Sequence, residues 1–250
     1  MSDCMISVIT VVYNNKDNFQ KTLENVKSQS YKNIEYIVID GGSTDGTVDV
    51  IKANTQFIKK WVSDKDKGIY DAMNKGINLS EGDYVCFMNA GDIFHNEETV
   101  SDIFKVCDNA DVYYGDTELV DESGKSWGNR QLKKTPENLR WQNMIDGMVV
   151  THQSLIIRKS LIELYDLNYI HCADIDWTIK VLKKAEKICN TKMIITTFLL
   201  GGYSRKNTIK SLVERFGILT KHFCVFKVVI NHFKLAYIFL VHIIKNRRIL

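Results

Sequence analysis

The sequence predicts an α/β fold: a doubly wound, mostly parallel sheet of Rossmann-like type followed by a C-terminal helical extension. Two observations carry this prediction. Over the first 92 residues, short apolar β-branched runs alternate with helix-spaced segments, a β-α-β-α-β-α-β order that argues for parallel strands. Two of those runs pass straight into turns that bear acids, Asp40 and Asp92. A carboxylate just past a strand end lies in the crevice where open α/β sheets bind their ligands.

Taken in order, residues 6–13 read as a buried first strand, broken by Asn14-Asn15-Lys16-Asp17. Residues 19–28 follow with helical spacing through Phe19, Leu23 and Val26. A strand over 34–39 precedes Ser43-Thr44-Asp45, which offers N-caps for a helix through Val48 and Ile51. Residues 57–62 read as a strand, 69–78 as a short helix and 84–88 as the fourth strand. Beyond Asp92 the pattern loosens. A helix over 97–106, a strand over 112–119 and a hairpin turn over 121–125 are expected, whereas 127–150 show no clear period. Residues 153–157 read as a strand, 158–165 as a helix, 174–184 as a helix and 193–200 as a last strand. One domain over 1–204 is expected, its donor half ending near residue 92, with 205–250 as a basic amphipathic helical tail.

Composition bounds the function. The 250 residues are 45% hydrophobic and 25% charged, ordinary for a globular protein. Six scattered cysteines show no CxxC pair, so buried free thiols in a reducing compartment are expected rather than bridges or zinc. No charged-then-apolar segment precedes the first strand, which makes a cytoplasmic location the expectation. The net charge of +3 conceals an asymmetry: residues 205–250 hold ten Lys or Arg against one acid, Glu214, which leaves the first 204 residues at −6.

Asp92 is placed to hold a hard divalent cation against a diphosphate, since such ions take oxygen ligands and keep water and phosphate oxygens in their other positions. Thr10, Val12, Tyr13 and Asp40 flank one edge of the expected crevice, where backbone amides and a carboxylate can read a nucleobase; a turn-initiating Asp before two glycines is the structural alternative for Asp40. In the run 66–76, Asp71 and Lys75 stand at i and i+4, so an exposed ion pair is one reading. The other puts Asp71 and Asn74 near ribose and phosphate, with Lys67 steering the anionic donor and Gly76 stopping the helix.

Four stretches occur in order at sensible spacing: Ile-Ser-Val-Ile-Thr-Val-Val-Tyr-Asn over 6–14, Val-Ile-Asp-Gly-Gly-Ser-Thr-Asp-Gly-Thr over 38–47, Gly-Ile-Tyr-Asp-Ala-Met-Asn-Lys-Gly over 68–76 and Asn-Ala-Gly-Asp over 89–92. Together they resemble glycosyltransferase family 2 over residues 5–204. That resemblance implies a GT-A nucleotide-diphosphosugar fold and inverting transfer, with Asp40 reading the base, usually uracil. It makes Asp92 the last acid of a DxD-type motif for Mn2+ or Mg2+, with Asn89 and Ala90 beside the donor. Asn89 and Gly91 depart from that motif where acids are frequent, which implies a weakly held ion. The run Cys-Ala-Asp-Ile-Asp-Trp over 172–177 is similar to the family's acceptor-side motif. Asp174 is the expected general base, with Asp176 the lesser candidate and an N-cap the structural alternative for Asp174. His152, Gln153 and Trp177 are acceptor-side candidates, each with a core role as the alternative. Arg205 and Lys206 are read either as a diphosphate clamp or as a solvated basic turn.

Three other functions compete. A nucleotidyltransferase wants a glycine-rich basic loop after the first strand, and residues 14–19 contain no glycine. A receiver-like module is about half this length and leaves Asp92 and Asp174 without roles. A catalytically weak sugar-nucleotide-binding scaffold is consistent with the thinned metal motif. The expected partners are a nucleotide-diphosphate sugar and a saccharide or lipid-linked acceptor in cell-surface polysaccharide synthesis. No nucleic acid is implied, and a homo-oligomer stays open. In the tail, Lys227, Asn231, Lys234, His242 and Lys245 recur near helical period as a polar stripe. The apolar run between them is too short to span a bilayer, so an interfacial helix meeting anionic head groups through Lys245, Arg247 and Arg248 is expected, with packing on the domain or a second subunit as the alternative.

Overall fold

The computed structural model describes residues 4–129, 134–200 and 208–246. Four parallel strands come first: β1 (Ile6–Val12), β2 (Ile34–Asp40), β3 (Ile58–Ser63) and β4 (Tyr84–Phe87), separated by α1 (Lys16–Ser28), α2 (Thr47–Ala53) and α3 (Ile69–Leu79). β5 (Ile93–Phe94), α4 (Thr99–Val106), β6 (Val112–Val120), β7 (Ser126–Asn129), β8 (Leu155–Arg158), α5 (Ala173–Lys184) and β9 (Ile188–Leu199) follow, and α6 (Thr208–His222) and α7 (Val225–Asn246) close the described chain.

The strands form one sheet in the order β3-β2-β1-β4-β8-β6-β9-β5, with β7 paired to β6. β8 runs antiparallel to both β4 and β6, while β6 and β9 are parallel to each other, so the sheet is mixed but mostly parallel. Both faces are covered, which is why the central strands read as continuous apolar runs instead of alternating ones. Ile9, Val11, Ile37 and Ile39 point to one face, packed by α3 and α5; Val8, Val12, Tyr36 and Val38 point to the other, packed by α1 and α4.

The chain order turns at β1, which has β2 on one side and β4 on the other. That reversal opens the ligand crevice of this sheet class at the carboxyl ends of β1, β2 and β4. Val12 is in register with Asp40 there, and the 89–92 turn follows β4.

Four local expectations are corrected. Residues 158–165 are not a helix: a single 3-10 turn, Lys159–Leu161, is followed by extended chain. The cause is long-range, because the Asn74 amide both donates to the Tyr165 carbonyl at 3.0 Å and accepts its N–H at 2.7 Å. β9 begins five residues earlier than residue 193, pinned by pairing with the start of β6. Cys107 and Cys189 are joined as a disulfide, their Cα atoms 6.5 Å apart, where free thiols were expected. The contact arises because α4 packs on β9, and a separation of 82 residues has no signature in the sequence. Cys86 does stay a buried thiol, pushed up to about 12 by desolvation.

Gly76 does not stop α3, which runs on to Leu79. It is the point where α3 presses on β1: a Cβ there would lie 2.4 Å from Ile9 Cγ2. Gly76→Ala is therefore expected to destabilise the fold by about 1–2 kcal/mol, overpacking outweighing the helix-propensity gain of about 1 kcal/mol. Chemical denaturation checks this, and a stabilised variant would contradict the close approach.

Candidate active site

Asp40 terminates β2 and is fully buried. Its Oδ2 is saturated, accepting from Ser63 Oγ at 2.6 Å and from the amides of Ser43 at 2.9 Å and Gly42 at 3.2 Å. Its Oδ1 is buried with no hydrogen-bond partner. Buried acceptors are nearly always paired, so one left open at a crevice is ready for a ligand N–H. Turn chemistry thus occupies one oxygen of the carboxylate and leaves the other open. Exposed Tyr13 stands beside it, since a Cβ on Gly41 would meet the Tyr13 ring at 3.3 Å. Thr10 and Val12 lie deeper. The Thr10 hydroxyl donates to the Met88 carbonyl at 2.7 Å, and the Val12 carbonyl accepts the Gly41 amide at 2.9 Å, so both shape the crevice from below.

The 89–92 turn follows β4 and closes through the Asp92 amide on the Asn89 carbonyl at 2.9 Å. Gly91 holds φ +105, a left-handed conformation in which a residue with a side chain would be strained. Asp92 is buried; desolvation pushes its carboxyl up to about 7, against the Gln153 amide, which donates at 2.7 Å, and the Leu199 N–H at 3.4 Å. Gln153 reaches it because antiparallel β8 brings its amino end to this edge of the sheet. Asn89 Oδ1 is a second buried acceptor without a hydrogen bond. A buried carboxylate raised in pKa and an orphaned amide oxygen on one turn suit a hard divalent cation. Among the described residues no group of three or more His, Cys, Asp or Glu that could hold a metal ion converges.

Asp174 lies in the first turn of α5, behind a Cys172 N-cap position, so it does not cap the helix. Its Oδ1 accepts the Tyr70 hydroxyl at 3.1 Å. Tyr70 stands in the first turn of α3, which follows β3, so this hydrogen bond ties the start of α5 to the start of α3. Burial first, then the Asp174 charge, holds the Tyr70 phenol protonated. Tyr70 was not singled out from sequence, because a lone Tyr on an amphipathic helix carries no signal of its partner 104 residues away.

Other candidates are placed differently. Asp71 does not pair with Lys75: it accepts the Lys67 amide at 3.0 Å, and Lys75 pairs with Asp66. Asn74 is buried and bridges to the Tyr165 backbone, away from any phosphate role. Asp176 is also buried, with His222 Nε2 at 2.7 Å and Lys180 Nζ at 2.8 Å on its two oxygens, so it fastens α6 to α5. Burial raises its carboxyl, but His222 and Lys180 outweigh that and hold it below the usual range. Trp177 stacks on Tyr165 with ring centroids 4.8 Å apart and donates to the Glu163 carbonyl at 2.7 Å, a core role. Arg205 and Lys206 lie outside the described residues.

His152 is enclosed by Phe87, Trp177 and Tyr165 and bonds the Tyr165 hydroxyl, so it supports the crevice floor from the core. Desolvation pulls its pKa down from 6.5 to about 3. A folded value below the unfolded one means the neutral ring is favoured, so its contribution is full above pH 6.5 and is lost as pH falls toward 3. Stability should drop by up to ~1.4 kcal/mol per pH unit below 6.5 from this group. Comparing denaturation midpoints at pH 7 and pH 5 in wild type and His152→Gln checks this; equal pH dependence in the two would contradict it.

The model of glycosyl transferase family 2 matches residues 7–165. The chain belongs to that family. An uncharacterised glycosyltransferase of Mycobacterium tuberculosis is 30% identical over 201 residues, covering 73% of this chain and 71% of that protein. The Escherichia coli UDP-Glc:alpha-D-GlcNAc-diphosphoundecaprenol beta-1,3-glucosyltransferase WfaP is 25% identical over 217 residues, 86% of this chain and 85% of the relative. Among solved structures, Staphylococcus aureus TarS (residues 1–349) in complex with UDP-GlcNAc superposes with a TM-score of 0.68 at 19% identity. The match covers 86% of this chain and 64% of that TarS chain, and at that identity it shows a shared GT-A fold alone. The chain is a glycosyltransferase, with the α/β fold and helical C-terminal end expected from its sequence.

Proposed function

We propose that this glycosyltransferase moves a sugar, with inversion, from a UDP-sugar to a hydroxyl of a saccharide or lipid-linked saccharide. What supports the reading is three acids in distinct environments: Asp40 at the end of β2 with an open buried oxygen, Asp92 on the turn after β4, and Asp174 held by Tyr70 at the start of α5. TarS in complex with UDP-GlcNAc and the name of the WfaP relative support the donor and acceptor classes. A mannosyltransferase of Pyrobaculum calidifontis in complex with GDP-Man and Mn2+, with a TM-score of 0.63, supports a divalent ion.

In this reading Asp40 Oδ1 accepts an imino N–H of the base, and Tyr13 stacks on it. Asp92, with Asn89, would hold Mn2+ or Mg2+, which supplies charge neutralisation on the leaving diphosphate. Asp174 takes the proton of the acceptor hydroxyl as its oxygen bonds the anomeric carbon. The bond from that carbon to the phosphate oxygen breaks on the opposite face, and its electron pair leaves with the nucleoside diphosphate. Tyr70, protonated throughout, fixes the orientation of the base. A donor-hydrolysis screen across nucleotide sugars with Mn2+ tests the class: turnover of a UDP-sugar is expected, and turnover of none would overturn the reading.

A further inference from the structure

The helices that follow the sheet carry two exposed apolar stripes. On α6, Ile209, Leu212, Val213 and Phe216 recur at i, i+3, i+4 and i+7 and are exposed, Ile209 to 78%. On α7, Phe226, Ile230, Phe233 and Tyr237 recur at i, i+4, i+7 and i+11, with Phe233 exposed to 75%. Each helix also packs on the domain. α6 buries Ile218 and Leu219; α7 buries Val228, and its Asn231 amide donates to the Ile145 carbonyl at 2.9 Å. The helices meet where Phe216 packs on His232, centroids 5.4 Å apart, so the stripes lie on neighbouring outward faces. A contiguous exposed apolar patch of this kind marks an interaction surface.

Charge identifies what it meets. Residues 205–250 contain one acid, Glu214, and it points inward. Its carboxylate accepts the amides of Ile170, His171 and Cys172 at 2.9, 2.8 and 2.7 Å. The outward faces therefore present apolar side chains with exposed lysines such as Lys210 and Lys227, and no carboxylate. A second copy seated on this face would set like charges against each other, whereas an anionic lipid leaflet satisfies both the apolar and the cationic component. No described helix is long and apolar enough to cross a membrane, so the geometry is that of helices lying on one.

We infer that the outward faces of α6 and α7 are a docking surface for an anionic lipid bilayer. The polar stripe and the apolar stripe of α7 lie on different sides of the helix. Asn231 is buried against the domain, exposed Lys234 lies 3.9 Å from Asp146 at its edge, and the apolar residues meet the bilayer. Because Glu214 ties α6 to residues 170–172, docking sets the segment that leads into Asp174 beside the membrane. Only this last consequence, access to a lipid-linked acceptor, rests on the proposed function; the docking itself does not.

Sedimentation of the full chain with phosphatidylglycerol-phosphatidylcholine vesicles tests it, with pure phosphatidylcholine vesicles as the control. At low salt the protein should pellet with the anionic vesicles and be released as salt screens the lysines. The triple variant Ile230→Ser, Phe233→Ser, Tyr237→Ser should weaken the partition at least ~10-fold, with the unfolding midpoint and soluble donor hydrolysis unchanged. The inference fails if wild type stays in the supernatant at low salt or if the triple variant pellets equally well. It also fails if wild type is a dimer in solution that the triple variant dissociates, which would assign the face to a second copy.

Discussion

Replacing Asp174 with Asn is expected to lower kcat by at least ~10²-fold while donor affinity stays within a few-fold of wild type, because positioned general bases are worth 10²–10⁴ in rate. The isosteric amide keeps the hydrogen bond from Tyr70 and the place in the first turn of α5, so the fold survives. Steady-state kinetics with a direct donor-binding titration separate the two effects. A large loss of donor binding with little change in kcat would make Asp174 structural. Asp176→Asn should behave differently: its carboxylate bridges His222 and Lys180 in the interior, so stability falls and kcat is nearly kept. Tyr70→Phe should cost about tenfold in kcat with KM unchanged. Removing a donor to the ionised base disfavours that form, so the acid limb of the pH-rate profile should also move to higher pH. An unmoved profile would leave Tyr70 a packing residue.

The second large effect is at the 89–92 turn. Asp92→Asn should abolish transfer, because no other described carboxylate stands on that turn to meet the diphosphate's ion. The same substitution should not damage the apo fold. Burial holds the Asp92 carboxyl near 7 against an ordinary 3.8, so the folded state disfavours its ionised form. Wild type thus loses stability as pH rises from the ordinary carboxylate range through 7, by about 4 kcal/mol at most, and the neutral amide does not. An inactive variant at least as stable as wild type at pH 8 is the expected pair of results. Turnover by wild type in excess EDTA, or by Asp92→Asn in Mn2+, would remove the ion from the mechanism.

The first half of the fold was legible because its strands are buried on both faces and so declare themselves as apolar runs, β1, β2 and β4 above all. Their acid-bearing ends were legible for the same reason: a strand that stops at Asp40 or before Asp92 fixes which edge those residues occupy. What the sequence concealed depends on contacts between distant segments. Residues 158–165 have helical spacing, but the Asn74 side chain captures the Tyr165 backbone and keeps the segment extended. Asp71 and Lys75 satisfy the i, i+4 rule, yet each finds a nearer partner in the loop before α3. His152 and Trp177 read equally well as ligand-facing or core until Phe87 and Tyr165 close around them. Glu214 looked like a stray acid in a basic tail; its role as the acceptor for three amides appears only when α6 docks.

The most direct test of the account is the anomeric configuration of the sugar first released from an α-linked UDP-sugar, followed by proton NMR before mutarotation. Attack from the face opposite the diphosphate, with Asp174 as base, predicts the β anomer from wild type and its near-complete loss in Asp174→Asn. Release of the α anomer, or of the β anomer at an undiminished rate in Asp174→Asn, would contradict it.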